Sequence, residues 1–429
     1  MSAPLDLLLR DALLPDGRRV DIGCRGGVIA AVTAAEASGG AGSPGAAAAP
    51  ATATRELGGR LVTPGLVDAH VHLDKAFLSP RAPGVEGTLA EAIRVTGEAK
   101  KRFTVEDIRA RARQVLDLAV RSGTTAMRGH VEVDPIVGLM ALEAVLPLKA
   151  EYAPALDLQL CAFPQEGILQ SPGTEALLGR ALRGGADLVG GCPYNDTDPR
   201  AHVDIVFRLA REFAVDADFH ADFFDEPTHL HVRYICEQTA RLGWQGRVVV
   251  GHMTELAALP PAELDGIVRE LAAARVGVIL LPATDLYLMG RGDAHKVRRG
   301  LAPAKRLLAG GVMVAAATNN VRNAFTPVGN ADPALMAFLL TVGAHMGTGE
   351  EQAQALAMIT TEPARMLGLG DRAIAEGRPA DLVVWEAAAL DEAVGGVAPR
   401  LLVVKAGRVS VEHRHVVDEP WRASRASGV

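Results

Sequence analysis

Residues 61–73, LVTPGLVDAHVHL, stay almost wholly apolar until they place His70 and His72 two positions apart near the end of the run. Side chains two apart on a strand share a face, so both imidazoles point the same way. Neutral imidazole is a good ligand for zinc or ferrous iron. A His-x-His pair is by itself a weak signal, since polar strand faces carry such pairs without a metal. The remainder of the chain decides its meaning.

Downstream of this run the chain repeats one unit, an apolar strand-like segment followed by a longer stretch with helical spacing. Seven more such segments follow: 124–133, 156–164, 186–193, 215–222, 247–253, 276–282 and 311–320. The stretches between them, such as TVEDIRARARQVLDLAVRSG, carry apolar residues at helical intervals and often end in glycine. Eight alternations predict an α/β fold, a (β/α)8 TIM barrel spanning 64–371. In such barrels the reactive groups stand where strands end, at the C-terminal face. His70 and His72 end the first run, His130 the second, His220 the fifth, His252 the sixth and Asn319 the eighth, while Gln165 follows the third. Histidines scattered through a core have no reason to keep that place in a repeat.

Upstream, LDLLLRDALL, RRVDIGC and GVIAAV alternate around Asp-Gly and Gly-Gly turns, and GRPADLVVWE and PRLLVVKAGRVSVE return to that pattern around Gly407. Residues 1–63 and 372–429 are therefore expected to build one accessory β-sandwich of antiparallel strands. The alanine- and glycine-rich stretch 35–54 reads as a flexible surface loop within it.

Among the 429 residues 49% are hydrophobic and 22% charged, enough for a large core. The net charge of -7 comes from intermixed acids and bases. With no basic block and only 4% aromatics, nucleic acid is not an expected partner. No run approaches about 18 uninterrupted apolar residues, and Arg10, Asp11 and Pro15 break the N-terminal one. The expectation is a soluble, cytoplasmic chain without a signal peptide or a membrane partner. Cys24, Cys161, Cys192 and Cys236 form no CxxC pair and read as buried free thiols.

His220 is the natural third ligand beside His70 and His72, because three protein ligands leave the open position that hydrolysis needs. His252 ends a fully apolar run, where an imidazole requires water, metal, substrate or a core partner. His130 fits either a substrate contact or a structural role. Two decoys are set aside. His130-Val131-Glu132 imitates a base-deaminase zinc motif but lacks its P-C-x-x-C partner. Gly368-Leu369-Gly370 imitates a dinucleotide fingerprint but follows a helix.

PGLVDAHVHLDKAF (64–77), AFPQEGI (162–168), HADFFDE (220–226), VVVGHM (248–253) and NNVRNAFTPVGN (319–330) resemble the cytosine deaminase branch of the amidohydrolase superfamily. The resemblance runs through nearly the whole chain. It implies one divalent metal, zinc or ferrous iron, on His70, His72 and His220, with His252 steering the metal-bound hydroxide. It implies that Gln165 reads an amide-like edge of a small ring, the alternative being a loop amide that caps the next helix. It also implies a homo-oligomer.

Two positions depart from the family pattern. Where cytosine deaminases carry a proton-shuttling glutamate, three residues after the fifth-strand histidine, this chain has Phe223. Where they carry an aspartate that binds the metal and deprotonates water, it has Asn319. An amide oxygen still reaches a metal, but it is no general base near neutral pH. Three explanations stand side by side: a natural variant, a catalytically silent relative, or an engineered inactivating exchange of aspartate for asparagine.

Phe223 points toward members that cleave amides, ureas or N-alkyl groups from nitrogen heterocycles. Lys75, just past the metal histidines, can reach a substrate carbonyl, act as an acid, or stand solvated in its loop. Asp222, Asp225 and Glu226 are candidate replacements for the shuttle, or helix caps. Lys75, Phe77, Phe163, Gln165, Tyr194, Asn195, Asn320, Arg322 and Phe325 are the candidate pocket residues, a mixture suited to a planar polar ring, anionic rings included. The reaction expected is metal-dependent hydrolysis of a C–N bond by deamination, dealkylamination or ring opening, with His252, Lys75 and Asn319 at its centre. The alternative is a silent amidohydrolase-like binding protein.

Overall fold

The computed structural model describes residues 3–35, 50–416 and 418. Strands β1 (Leu5–Leu13), β2 (Arg19–Arg25), β3 (Val28–Ala34) and β4 (Ala51–Glu56) form one sheet in the order β3-β2-β1-β4. β5 (Val62–Pro64) joins β14 (Leu382–Trp385), β15 (Arg400–Lys405) and β16 (Arg408–Glu412) in a second. Leu7, Leu9, Ile22, Cys24, Val62, Leu382, Val384, Leu402 and Val404 fill the space between them, so the two chain ends share one core.

Two details depart from the sequence reading. Residues 51–54, taken as part of a loop, lie in β4, where alternate residues are half-buried on one face; residues 36–49 of that stretch lie outside the described residues. β4 also pairs parallel with β1, not antiparallel.

All eight expected runs are strands of one parallel sheet, ordered β13 to β6 without interruption. They are β6 (Leu66–His72), β7 (Thr124–Glu132), β8 (Asp157–Phe163), β9 (Leu188–Gly191), β10 (Asp216–Ala221), β11 (Val248–His252), β12 (Gly277–Leu280) and β13 (Val314–Ala316). Their near-continuous burial follows from helices outside and side chains inside. The sheet closes where Val71 bridges Asn319 in parallel. There the His72 N–H donates to the Asn319 carbonyl at 2.7 Å, and the Asn319 N–H to the His70 carbonyl at 2.8 Å. Closure thus threads Asn319 into the backbone of the His-x-His pair.

Helix α1 (Leu89–Lys100) follows the first strand and matters to the site. The Thr88 hydroxyl caps it by accepting from the Glu91 N–H at 3.2 Å. Its face around Ala92, with Ile93 and Val95, packs on Phe223, Leu288 and Phe325. Among the described residues no helix is long and apolar enough to cross a membrane. The four cysteines are buried and free.

Candidate active site

On β6 the inward positions are Asp68, His70 and His72, and on β10 they are Asp218 and His220. His220 Nε2 lies 3.0 Å from His70 Nε2 and 3.0 Å from His72 Nε2. Burial first, then neighbouring charged side chains, hold all three imidazoles well below their ordinary pKa, so they are neutral at neutral pH. The Nδ1 atoms of all three are buried without a hydrogen-bond partner. One Nε2 cannot satisfy two facing nitrogens by hydrogen bonding, whereas three lone pairs turned toward one point suit a cation. Gly251 makes room for the cradle, because a Cβ there would stand 3.3 Å from His70 Cε1.

His130 and Asp218 lie beside this trio, and ligand atoms of His70, His130, Asp218 and His220 all fall within 4.8 Å of one another. The buried residues around His70 and His220 form a metal-binding site. Asp218 is held by Arg128, whose guanidinium donates to Oδ2 at 3.0 Å, while Oδ1 stands 3.8 Å from His70 Nδ1 and 3.5 Å from His130 Nε2. The carboxylate thus stands behind the His70 ring without a hydrogen bond to its Nδ1. His130 stacks on His70 with ring centroids 3.9 Å apart.

Asn319 is 1% exposed, and neither its Oδ1 nor its Nδ2 has a partner within the protein. Its φ of 57° and the 73° of His252 lie in the left-handed region, uncommon for side chains other than glycine. Backbone strain of this kind concentrates where function fixes the chain.

His252 gives its Nδ1 to Asp285 Oδ1 at 2.7 Å, and the Leu281 N–H steadies the other carboxylate oxygen at 3.2 Å. The Nδ1–H tautomer leaves Nε2 as the lone-pair atom. Phe223 stacks on the His252 ring at 3.6 Å and 21°. The residue in place of the expected glutamate therefore lies flat against the His252 ring.

The cavity beside these groups is lined by His72, Lys75, Gln165, Tyr194, His220, Phe223, His252, Thr284, Asn319, Asn320 and Phe325. About 10 Å³ is open within it, roughly the room of one water, so a ring enters only when its wall side chains move. A larger cleft of about 650 Å³ near Asp204, Arg208 and Arg241 lies between surface helices and contains none of these groups.

Several candidates fall outside that lining. Phe163 stacks on His220 at 4.0 Å, behind the ligand. The Asn195 amide donates to the Gln165 carbonyl at 2.7 Å, so it steadies the pocket loop. Arg322 lies over the Phe77 ring and donates to the Gly329 carbonyl. Asp222 accepts from the His231 and Val232 N–H groups and so caps a helix, Asp225 accepts from the Gly290 N–H, and Glu226 pairs with Arg298. None of these carboxylates faces the cavity.

Sequence reading missed Asp285, Asp218, Glu132 and Lys100. Asp285 had a faint signal, an acid in the segment just past a barrel strand; Lys100 had none, being one lysine on a charged helix.

The loop that carries Gln165 is anchored by Asp196, which accepts from the N–H groups of Ile168, Leu169 and Gln170 at 2.6, 3.0 and 2.9 Å and contacts His202 Nδ1 at 2.7 Å. Burial opposes its charge, but His202 and these N–H groups hold its carboxyl well below the ordinary range. Asp196→Asn is expected to cost about 2–4 kcal/mol of stability at pH 7. A depressed carboxylate stabilises above its unfolded pKa of 3.8 and loses that contribution as pH falls. The gap between wild type and variant in urea melts should therefore shrink below about pH 4; a gap constant down to pH 3 would refute the assignment.

The pattern described as the amidohydrolase family matches residues 53–411. N-isopropylammelide isopropyl amidohydrolase of Pseudomonas sp. (strain ADP) is 30% identical over 97% of this chain and 100% of its own. 5-Methylcytosine deaminase from Klebsiella pneumoniae, solved with 5-fluorocytosine, superposes with a TM-score of 0.89 at 29% identity, over 96% of this chain and 100% of that one. N-isopropylammelide isopropylaminohydrolase from Burkholderia multivorans superposes with a TM-score of 0.81 at 28% identity, over 95% and 98%.

Proposed function

We propose that this chain, which belongs to the amidohydrolase family, hydrolyses the exocyclic C–N bond of a small oxo-substituted nitrogen heterocycle and releases ammonia or an alkylamine. The observation that carries the reading is the convergence of the His70, His72 and His220 Nε2 atoms beside a pocket of one lysine, three amides and aromatic walls. His70, His72 and His220, with the Asn319 oxygen, would hold one divalent ion, zinc or ferrous iron. When bound, that ion supplies Lewis acidity toward water and toward the ring carbon under attack.

The protein's own groups do the remainder. Lys75 and Gln165 orient the ring edge, and Phe223 and Phe325 bound its faces. His252 Nε2, turned by the Nδ1–Asp285 contact, accepts the proton of the attacking water. The same nitrogen then delivers it to the departing amine. Asp285 keeps the ring in that tautomer and stabilises the imidazolium formed between the two transfers.

A carboxylate at position 319 would add a stronger base than the amide provides. The buried Asn319 Nδ2 is a donor with no acceptor, whereas both oxygens of a carboxylate there would be acceptors toward a bound cation. This supports reading Asn319 as the exchanged form of an aspartate. A second reading, a binding protein without turnover, is favoured by the lack of any carboxylate in the cavity lining.

The test is release of ammonia or amine from amino- and alkylamino-substituted pyrimidinones and triazinediones by protein supplied with zinc or ferrous iron. Failure of both the wild type and Asn319→Asp on every ring that binds would leave the binding-protein reading. Metal at about a thousandfold over its dissociation constant should stabilise the fold by about 4 kcal/mol, and chelation should remove that gain. His72→Ala should retain less than about a tenth of the wild-type metal content; full retention would exclude His72 as a ligand.

A further inference from the structure

On the side of the pocket formed by Lys75, Gln165 and Asn320, the two amide oxygens are occupied by protein donors. Lys75 Nζ donates to Glu132 Oε1 and to Gln165 Oε1, each at 2.9 Å. Since an ammonium only donates, this sets the Gln165 amide with its oxygen on Lys75 and its NH2 group on the cavity side, where Cys192 Sγ at 3.8 Å and the Tyr194 hydroxyl are its neighbours. The Asn320 oxygen is likewise spent, on the Asn323 NH2 at 2.8 Å. Among the described residues these are the two hydrogen bonds of the Lys75 ammonium, which stands 4.4 Å from the centre of the Phe325 ring. What these residues offer a ring edge is N–H.

That arrangement is set from behind. Lys100, the last residue of α1, is buried, and its ammonium meets Glu132 Oε2 at 2.6 Å, Asp134 Oδ2 at 2.8 Å and Glu166 Oε1 at 2.6 Å. These carboxylates would themselves suit a cation, and Lys100 is the cation they have. Glu132 is the shared member, one oxygen on Lys75 and the other on Lys100. Burial alone would push its carboxyl up, yet the two ammonium groups hold it at about 2. Glu166 is the chain neighbour of Gln165, so Lys100 braces both donors of the wall.

We propose that Lys100 is a positioning residue for substrate recognition: through Glu132 and Glu166 it fixes the Lys75 ammonium and the Gln165 NH2 as adjacent donors, which select a ring edge with two neighbouring acceptors. The substrate class is then an oxo-substituted heterocycle or its anion, and rings that present amino groups to that wall are rejected because donor faces donor. This rests on the proposed function for the site but not on turnover, so binding tests it separately.

Cyanurate and melamine share one six-membered ring and differ in carrying oxo or amino groups. Calorimetric titration of metal-supplemented full-length protein should give cyanurate a dissociation constant at least about tenfold below that of melamine. Lys100→Met should cut that ratio by about tenfold, chiefly through weaker cyanurate binding. A purely structural defect lowers both affinities together and leaves the ratio alone. If Lys100→Met does not fold, Glu166→Gln, at the half-exposed end of the network, should cut the ratio about threefold. Equal or tighter binding of melamine, no binding of either ring to the wild type, or an unchanged ratio in the folded variant would each overturn the proposal. Absence of C–N cleavage alongside the expected ratio would instead count against the proposed reaction.

Discussion

Asn319→Asp is expected to raise kcat by about 10²–10⁴-fold on any ring the wild-type protein hydrolyses. The position is already committed to the site: its backbone bonds to both His70 and His72, and its φ of 57° keeps the side chain at the closure of the barrel. The exchange keeps the side-chain size, and a bound divalent ion would offset the cost of the buried charge it introduces. What changes is basicity. An amide takes no proton near neutral pH, whereas a carboxylate beside the histidine trio accepts one from water and passes it on. Steady-state kinetics at pH 7 check this, with circular dichroism to confirm equal folding. No gain in kcat on a substrate that both proteins bind would sink the base assignment and favour the binding-protein reading.

His252→Gln is expected to lose about 10²–10⁴-fold in kcat with a much smaller change in KM. A glutamine keeps a polar atom under the Phe223 ring but transfers no proton. Asp285→Asn should follow it in the same direction, because the His252 Nδ1–H contact at 2.7 Å sets which nitrogen faces the cavity. Since Asp285 is not among the residues that line the cavity and meets it only through His252, a pure loss of substrate affinity in that variant would contradict its role. If His252→Gln instead retained full kcat, another group would have to move the proton, and among the lining residues Lys75 is the remaining candidate.

The two effects are linked in one background. On the proposed mechanism His252 accepts the proton alone in the wild type, so its loss should be severe; in Asn319→Asp a second base would be present. The cost of His252→Gln should therefore be smaller in the aspartate protein, and a double-mutant cycle measures the difference.

Much of this molecule was legible in its sequence, for local reasons. Hydrophobic periodicity marked all eight barrel strands, because a strand buried on both sides leaves a continuous apolar run. The barrel rule then turned strand-end histidines into neighbours, which is how residues 150 positions apart, His70 and His220, could be paired before any distance was known. The parallel β1–β4 pair escaped because periodicity records which face is buried and says nothing about strand direction.

By itself the sequence determined which residues reach the catalytic face: their place at strand ends is a one-dimensional property that the repeating fold converts into position. Only the tertiary structure decided what each of them does there. Asp285 became the partner of His252, Phe223 a stacking plate and Asn195 a brace for Gln165. Lys100 became the support of Glu132, across a contact spanning the first and second barrel units. Such roles depend on which hydrogen-bonding atom is consumed by a neighbour and which is left over. That is settled by side-chain packing between segments distant in the chain, and residue type and spacing do not encode it.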